Sequence, residues 1–129
     1  MNCNSGFFID SRDAKKSKKI TMLHYMTWPD HGVPKDPMTL IEMVNLIKSN
    51  DFNKIIVHCS AGVGRTGTFI ALSNLMDEIL IGGKTIDVFK TVFNLRADRK
   101  LMVSISKCVK KSLKETLRPS LPRLFWILQ

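Results

Sequence analysis

Lys54-Ile55-Ile56-Val57-His58-Cys59-Ser60-Ala61-Gly62-Val63-Gly64-Arg65-Thr66-Gly67-Thr68-Phe69 is the stretch on which the reading turns. Ile55, Ile56 and Val57 form a continuous apolar run, which predicts a central strand over Lys54 to His58 buried on both faces. Three glycines follow within six residues, and then Phe69, Leu72, Met76 and Ile79 recur at helical spacing until Gly82 and Gly83. Strand, glycine loop and helix in that order predict an α/β fold with the loop at a helix N-terminus.

The loop's composition matches one task, the enclosure of a tetrahedral anion. Gly62, Gly64 and Gly67 let successive amide N–H groups converge on one point, and the helix behind them adds its positive end. Arg65 can return to that cup and hold two oxygens with its planar fork, which an ammonium could not reproduce. Cys59 then sits in a positive field that favours the thiolate, so a nucleophile is made without a separate base. Thr66 can donate its hydroxyl to the cysteine sulfur, and the His58 side chain can order the loop by bonding the loop's backbone. A cysteine after an apolar strand is ordinarily a small buried hydrophobe. Here the nucleophile, glycines, arginine and threonine stand in register, which packing alone does not require. A kinase-type nucleotide loop is excluded, because no lysine follows the last glycine.

Upstream, Phe7 to Ile9 and Lys19 to Tyr25 read as two strands of a hairpin separated by a polar segment. Trp28-Pro29-Asp30-His31-Gly32-Val33-Pro34 is a loop, since two prolines and a glycine exclude regular structure. Asp36 caps, and Pro37 opens, a helix of about a dozen residues with Leu40, Ile41, Val44 and Ile47 on its apolar face. Downstream, Thr85 is the expected cap of a helix that turns Val88, Phe89, Val92 and Leu95 inward. Beyond Lys100, Ile105, Val109, Leu113 and Leu117 recur beside a basic face that starts at Lys107, a basic amphipathic helix that Pro119 and Pro122 stop.

A chain of 129 residues is a single-domain prior. Its net charge of +9 favours acidic or phosphorylated partners. Nucleic acid is the rival, but no zinc-finger spacing, aromatic-studded basic strand or basic zipper supports it. Cys3, Cys59 and Cys108 form neither a disulfide framework nor a metal spacing, which implies a reducing compartment and no metal. No stretch approaches the ~18 apolar residues of a membrane span, so the expectation is a cytoplasmic protein without a transmembrane segment.

His58 through Phe69 resembles the signature of the classical, non-receptor-like protein tyrosine phosphatases, and the resemblance extends from about Lys19 to Val103. It implies a twisted mixed β-sheet flanked by helices, with the phosphate loop between a central strand and a helix, of which this chain carries the C-terminal half; residues 104–129 diverge. Trp28, Pro29 and Asp30 resemble that family's movable acid loop. The resemblance implies that Cys59 attacks phosphorus, that Arg65 and the amides of Ser60, Ala61, Gly62, Val63 and Gly64 bind the phosphoryl oxygens, and that Asp30 protonates the departing tyrosine. Thr66 eases departure of the sulfur, while Trp28 and Pro29 support the loop. No cofactor is implied, and the partners are phosphotyrosine-containing proteins, with an anionic partner or membrane surface for the basic face after Lys107. After Val103 the family has a glutamine that positions water, and this chain has Ser104. Two alternatives stand beside an active phosphatase: a phosphotyrosine-binding module with little turnover, and a fragment that does not fold alone.

Overall fold

The structure, a computed structural model, describes residues 5–10, 17–29, 32–50, 52–82 and 85–103, with side chains from residue 20 onward. Two strands, β1 (Ser5–Asp10) and β2 (Ser17–Thr21), pair antiparallel with Phe8 opposite Lys19 and a register shift between Ser5 and Phe7. This is the expected hairpin, although β2 ends at Thr21, short of Tyr25.

Helix α1 (Pro37–Lys48) has the expected start. One Asp36 carboxylate oxygen accepts from the Met38 N–H at 3.0 Å and the other from the Thr39 hydroxyl at 2.6 Å. Pro37 has no N–H to leave unsatisfied at the first position. Leu40, Ile41 and Val44 are buried, with Ile47 packed at the margin. At the other end, the Ser49 hydroxyl and the Asn50 amide both donate to the Leu46 carbonyl, so side chains satisfy an acceptor that the helix leaves open.

Helix α2 (Gly64–Leu80) is the centre of the molecule. Ala71, Leu72 and Leu75 lose all exposure between α1 on one side and α3 (Val88–Asp98) on the other. Each large apolar side chain so buried contributes about 1.5–3 kcal/mol relative to exposure. Gly82, at φ +82, takes the left-handed conformation that ends α2, its N–H donating to the Ile79 carbonyl. Lys48 and Asp77 form an ion pair between α1 and α2 at 2.5 Å, with Asp77 mostly exposed.

Three expectations change. The cap of α3 is Asp87, whose carboxylate accepts from the Lys90 N–H at 2.8 Å, and not Thr85. Starting the helix there puts Thr91 and Leu95 on the buried face, and turns Phe89 outward at 77% exposure, where it stacks on Phe93. The Lys54 to His58 run is not in a sheet among the described residues, whose one sheet is the β1–β2 hairpin. Ile56 is 90% exposed and Ile55 is 52% exposed, while Val57 packs against the helical core. Burial on two faces needs a sheet neighbour at the edges and a layer on each side; the described elements supply one layer. The basic helix after Lys100 lies outside the described residues, apart from its approach up to Val103.

Candidate active site

Residues Ser60 to Val63 turn sharply into α2, with Gly62 at φ +69. A side chain at that position would be strained. It would also meet the Arg99 guanidinium, whose Nη2 lies 3.3 Å from where a Cβ would stand. Val63 precedes the helix and supplies no side-chain cap, so the first-turn N–H groups of α2 remain directed into the loop's concavity.

Cys59 is partly buried at the base of this turn. Burial is the largest influence on its thiol and pushes the pKa up, but four hydrogen bonds oppose it: the Thr66 hydroxyl and the backbone N–H groups of Thr66, Gly62 and Val63. Together they outweigh burial and lower the thiol from 9.0 to about 7. The physical cause is that all four donors favour the charged sulfur over the neutral one. The Thr66 hydroxyl is buried and finds no partner at full hydrogen-bonding geometry among the described residues, so its interaction with the sulfur is loose.

Arg65, in the first turn of α2, folds its side chain back so that Nη2 donates to the Ser60 hydroxyl at 3.1 Å. That bond brings the guanidinium to the beginning of the same loop whose end it occupies in sequence. His58 is exposed. Gly67 serves a different purpose: a Cβ there would overlap the Val103 backbone nitrogen. The segment after α3 therefore lies directly against the first turn of α2, and the Val63 carbonyl accepts from both the Gly67 and Val103 N–H groups, at 3.2 and 3.0 Å.

On the acid-loop side, Trp28 is buried and its indole N–H donates to the Gly32 carbonyl at 3.3 Å, bridging the segment that contains Asp30. Pro34 is fully buried, and Pro29 is exposed. Asp30 itself, with His31, lies outside the described residues. The flanks of the loop are anchored on both sides.

Three side chains at the site had no role in the sequence reading. Tyr25 packs edge-on against Trp28, with ring centroids 5.8 Å apart, and donates its hydroxyl to the Asp36 carbonyl. Arg96 donates to the carbonyls of Met102 and Val103, at 3.0 and 3.2 Å. Arg99 donates to the Ala61 carbonyl at 3.2 Å. The only signal in sequence was two arginines three apart at the end of a helix, a pattern that ordinarily marks favourable charge at a helix C-terminus.

Residues 3–110 match the protein-tyrosine phosphatase family model. The chain is 40% identical over 97 residues to a rat receptor-type tyrosine-protein phosphatase C, covering 73% of this chain and 8% of that protein. It is 42% identical over 102 residues to the receptor-type phosphatase eta of Gallus gallus, covering 75% of this chain and 7% of that protein. It therefore spans a small part of the curated relatives' own lengths. Among solved structures, a Trypanosoma brucei protein tyrosine phosphatase superposes with a TM-score of 0.76 at 29% identity, over 90% of this chain and 42% of that one. A Trypanosoma cruzi protein tyrosine phosphatase gives 0.73 at 27%, over 86% and 38%. The α/β fold expected from the sequence is thus present in part, with its helical side dominant among the described residues. With the glycine turn around Cys59 and this match across most of its length, the chain belongs to the protein-tyrosine phosphatase family.

Proposed function

We propose that this site hydrolyses phosphotyrosine in proteins through a cysteinyl-phosphate intermediate. The observation that carries the reading is the turn itself, in which the Thr66, Gly62 and Val63 N–H groups act on the Cys59 sulfur and Arg65 folds back to Ser60; donors so placed favour the thiolate that in-line attack on phosphorus requires. The Cys59 sulfur forms a bond to phosphorus as the bond to the phenolic oxygen breaks. Arg65 and the loop amides hold the equatorial oxygens, and Asp30 delivers a proton to the leaving phenolate. Water then forms the new phosphorus–oxygen bond, the sulfur–phosphorus bond breaks, and Asp30 takes up the water's proton. Thr66, loosely engaged with the sulfur, stabilises it as it leaves. The anchored flanks around Trp28 and Pro34 suit Asp30 to a loop that closes over the substrate.

A reactive thiolate is kept in a reducing setting, and the cytoplasm is the proposed location. Among the described residues no helix is long and apolar enough to cross one. A second reading rests on Ser104: with serine in place of a longer amide, water is held in line less often. The chain would then bind phosphotyrosine and turn over slowly.

The test is hydrolysis of an aryl phosphate by the purified chain and by its Cys59→Ser and Asp30→Ala variants. Cys59→Ser should abolish turnover while retaining phosphate-ester binding. Asp30→Ala should slow it by roughly 10²–10⁴-fold, with less harm for acidic leaving groups. Serine activity near the parent level would refute the mechanism. A burst of phenol followed by slow turnover, with trapped phosphocysteine, would select the second reading.

A further inference from the structure

Arg99 lies outside the phosphate loop in sequence, yet it is the side chain that grips the loop's outer surface. Its backbone caps the C-terminus of α3, where its N–H donates to the Leu95 carbonyl at 3.0 Å. From that fixed point the guanidinium reaches across to the Ala61 carbonyl and packs over Gly62, with Nη2, Cζ and Nη1 all 3.3–3.7 Å from the position of a Cβ. The absent side chain of Gly62 is what admits it.

The Ala61 carbonyl and the Gly62 N–H belong to one peptide unit. That unit is planar, and no peptide bond of the chain is cis among the described residues. Its oxygen and its hydrogen therefore point in opposite directions. A donor that fixes the oxygen on the outside fixes the N–H on the inside, where the Gly62 amide acts on Cys59. We propose that Arg99 is a positioning residue of the phosphate loop: by holding the Ala61 carbonyl it keeps the Ala61–Gly62 peptide turned with its N–H toward the Cys59 sulfur and the anion that binds there. The inference rests on the phosphate-loop reading of Cys59 above, and it adds a residue whose contact with the reacting atoms is indirect.

The surrounding segment is built to hold that arm still. Val103 donates to the Val63 carbonyl, and Arg96 ties down the carbonyls of Met102 and Val103 on the far side. Leu101 and Val103 adopt φ values of +66 and +58, which side-chain-bearing residues rarely take, so this short return is over-determined by its hydrogen bonds. Among the described residues, Arg65 donates to Ser60 and Arg99 to Ala61, so two guanidinium groups hydrogen-bond to the loop. Arg99 could thus also favour the thiolate by charge alone, and the two actions are separable. A lysine keeps the charge and loses the planar fork.

The experiment measures the pH dependence of iodoacetamide alkylation at Cys59, read by mass spectrometry of the Cys59 peptide so that Cys3 and Cys108 do not contribute. The parent chain, Arg99→Met and Arg99→Lys are compared, each checked for parental circular dichroism. Both variants should raise the alkylation midpoint by about half to one pH unit, because each releases the Ala61–Gly62 peptide. A lysine variant with the parental midpoint beside a shifted methionine variant would overturn positioning in favour of charge. Parental midpoints in both would overturn any role. If the methionine variant does not fold, the conservative lysine variant decides alone. Because alkylation needs no turnover, a chain that fails to hydrolyse aryl phosphate but shows the shift would refute the catalytic reading and leave this one standing.

Discussion

Replacing Gly67 with alanine tests the close approach of the Val103 backbone to α2. Gly67 lies in the first turn of α2, and its conformation is ordinary helix, so glycine is not needed there for backbone freedom. By helix propensity alone the substitution should stabilise by about 1 kcal/mol. The structure predicts the opposite sign. The new Cβ would overlap the Val103 nitrogen and press on Met102 Cα and its carbonyl carbon, at 3.3 and 3.2 Å; all three are backbone atoms, and no flexible side chain can swing away. Overpacking of this kind costs about 1–3 kcal/mol. Moving the 102–103 segment outward also strains the Val103 N–H bond to the Val63 carbonyl, and a buried donor left without its partner costs a further ~1–3 kcal/mol. The net expectation is a loss of about 1–5 kcal/mol, read as a lower urea midpoint at unchanged slope by circular dichroism. The control is Gly82→Ala, where φ is +82 but nothing lies within 4 Å, so only the backbone cost of about 1–2 kcal/mol applies. A Gly67→Ala chain as stable as the parent would refute the close approach of the Val103 segment to α2.

The alkylation rate of Cys59 should rise with pH and level off above a midpoint near 7, two units below an unperturbed 9.0, because only the thiolate reacts and the loop's donors favour it; a midpoint near 9 would mean that the loop does not form. Asp87→Ala should cost about 0.5–2 kcal/mol by urea unfolding and Thr85→Ala almost nothing, since Asp87 is the side chain that accepts from the first turn of α3. Leu72→Ala, at a fully buried position of α2, should cost about 2–5 kcal/mol in the same assay. Removing the Lys48–Asp77 pair by Asp77→Asn should change stability by about 1 kcal/mol or less, because the carboxylate is mostly exposed.

Local chemistry made much of this chain legible from its residues. The start of α1 needed only Asp36 and Pro37, because capping and a missing N–H act within one turn. The loop from Cys59 to Arg65 was readable because the features that bend it, glycines and a helix start, are adjacent in sequence. The same locality explains the failure at α3: Thr85 and Asp87 are both acceptable caps, and only the packing of Thr91 and Leu95 on α2 chooses between them and turns Phe89 outward. The burial of Ile55 and Ile56 was misjudged because an apolar run states what a strand can pair with and cannot supply the partner. Arg99 was invisible for a related reason. Its bond to Ala61 spans 38 residues, and such a contact exists only once α2 and α3 have packed and brought the end of one helix over the start of the other. Sequence by itself determined which residues are candidates for an anion cup and a thiolate; the tertiary structure decided that Arg99, 38 residues away, meets the Ala61 carbonyl of that loop.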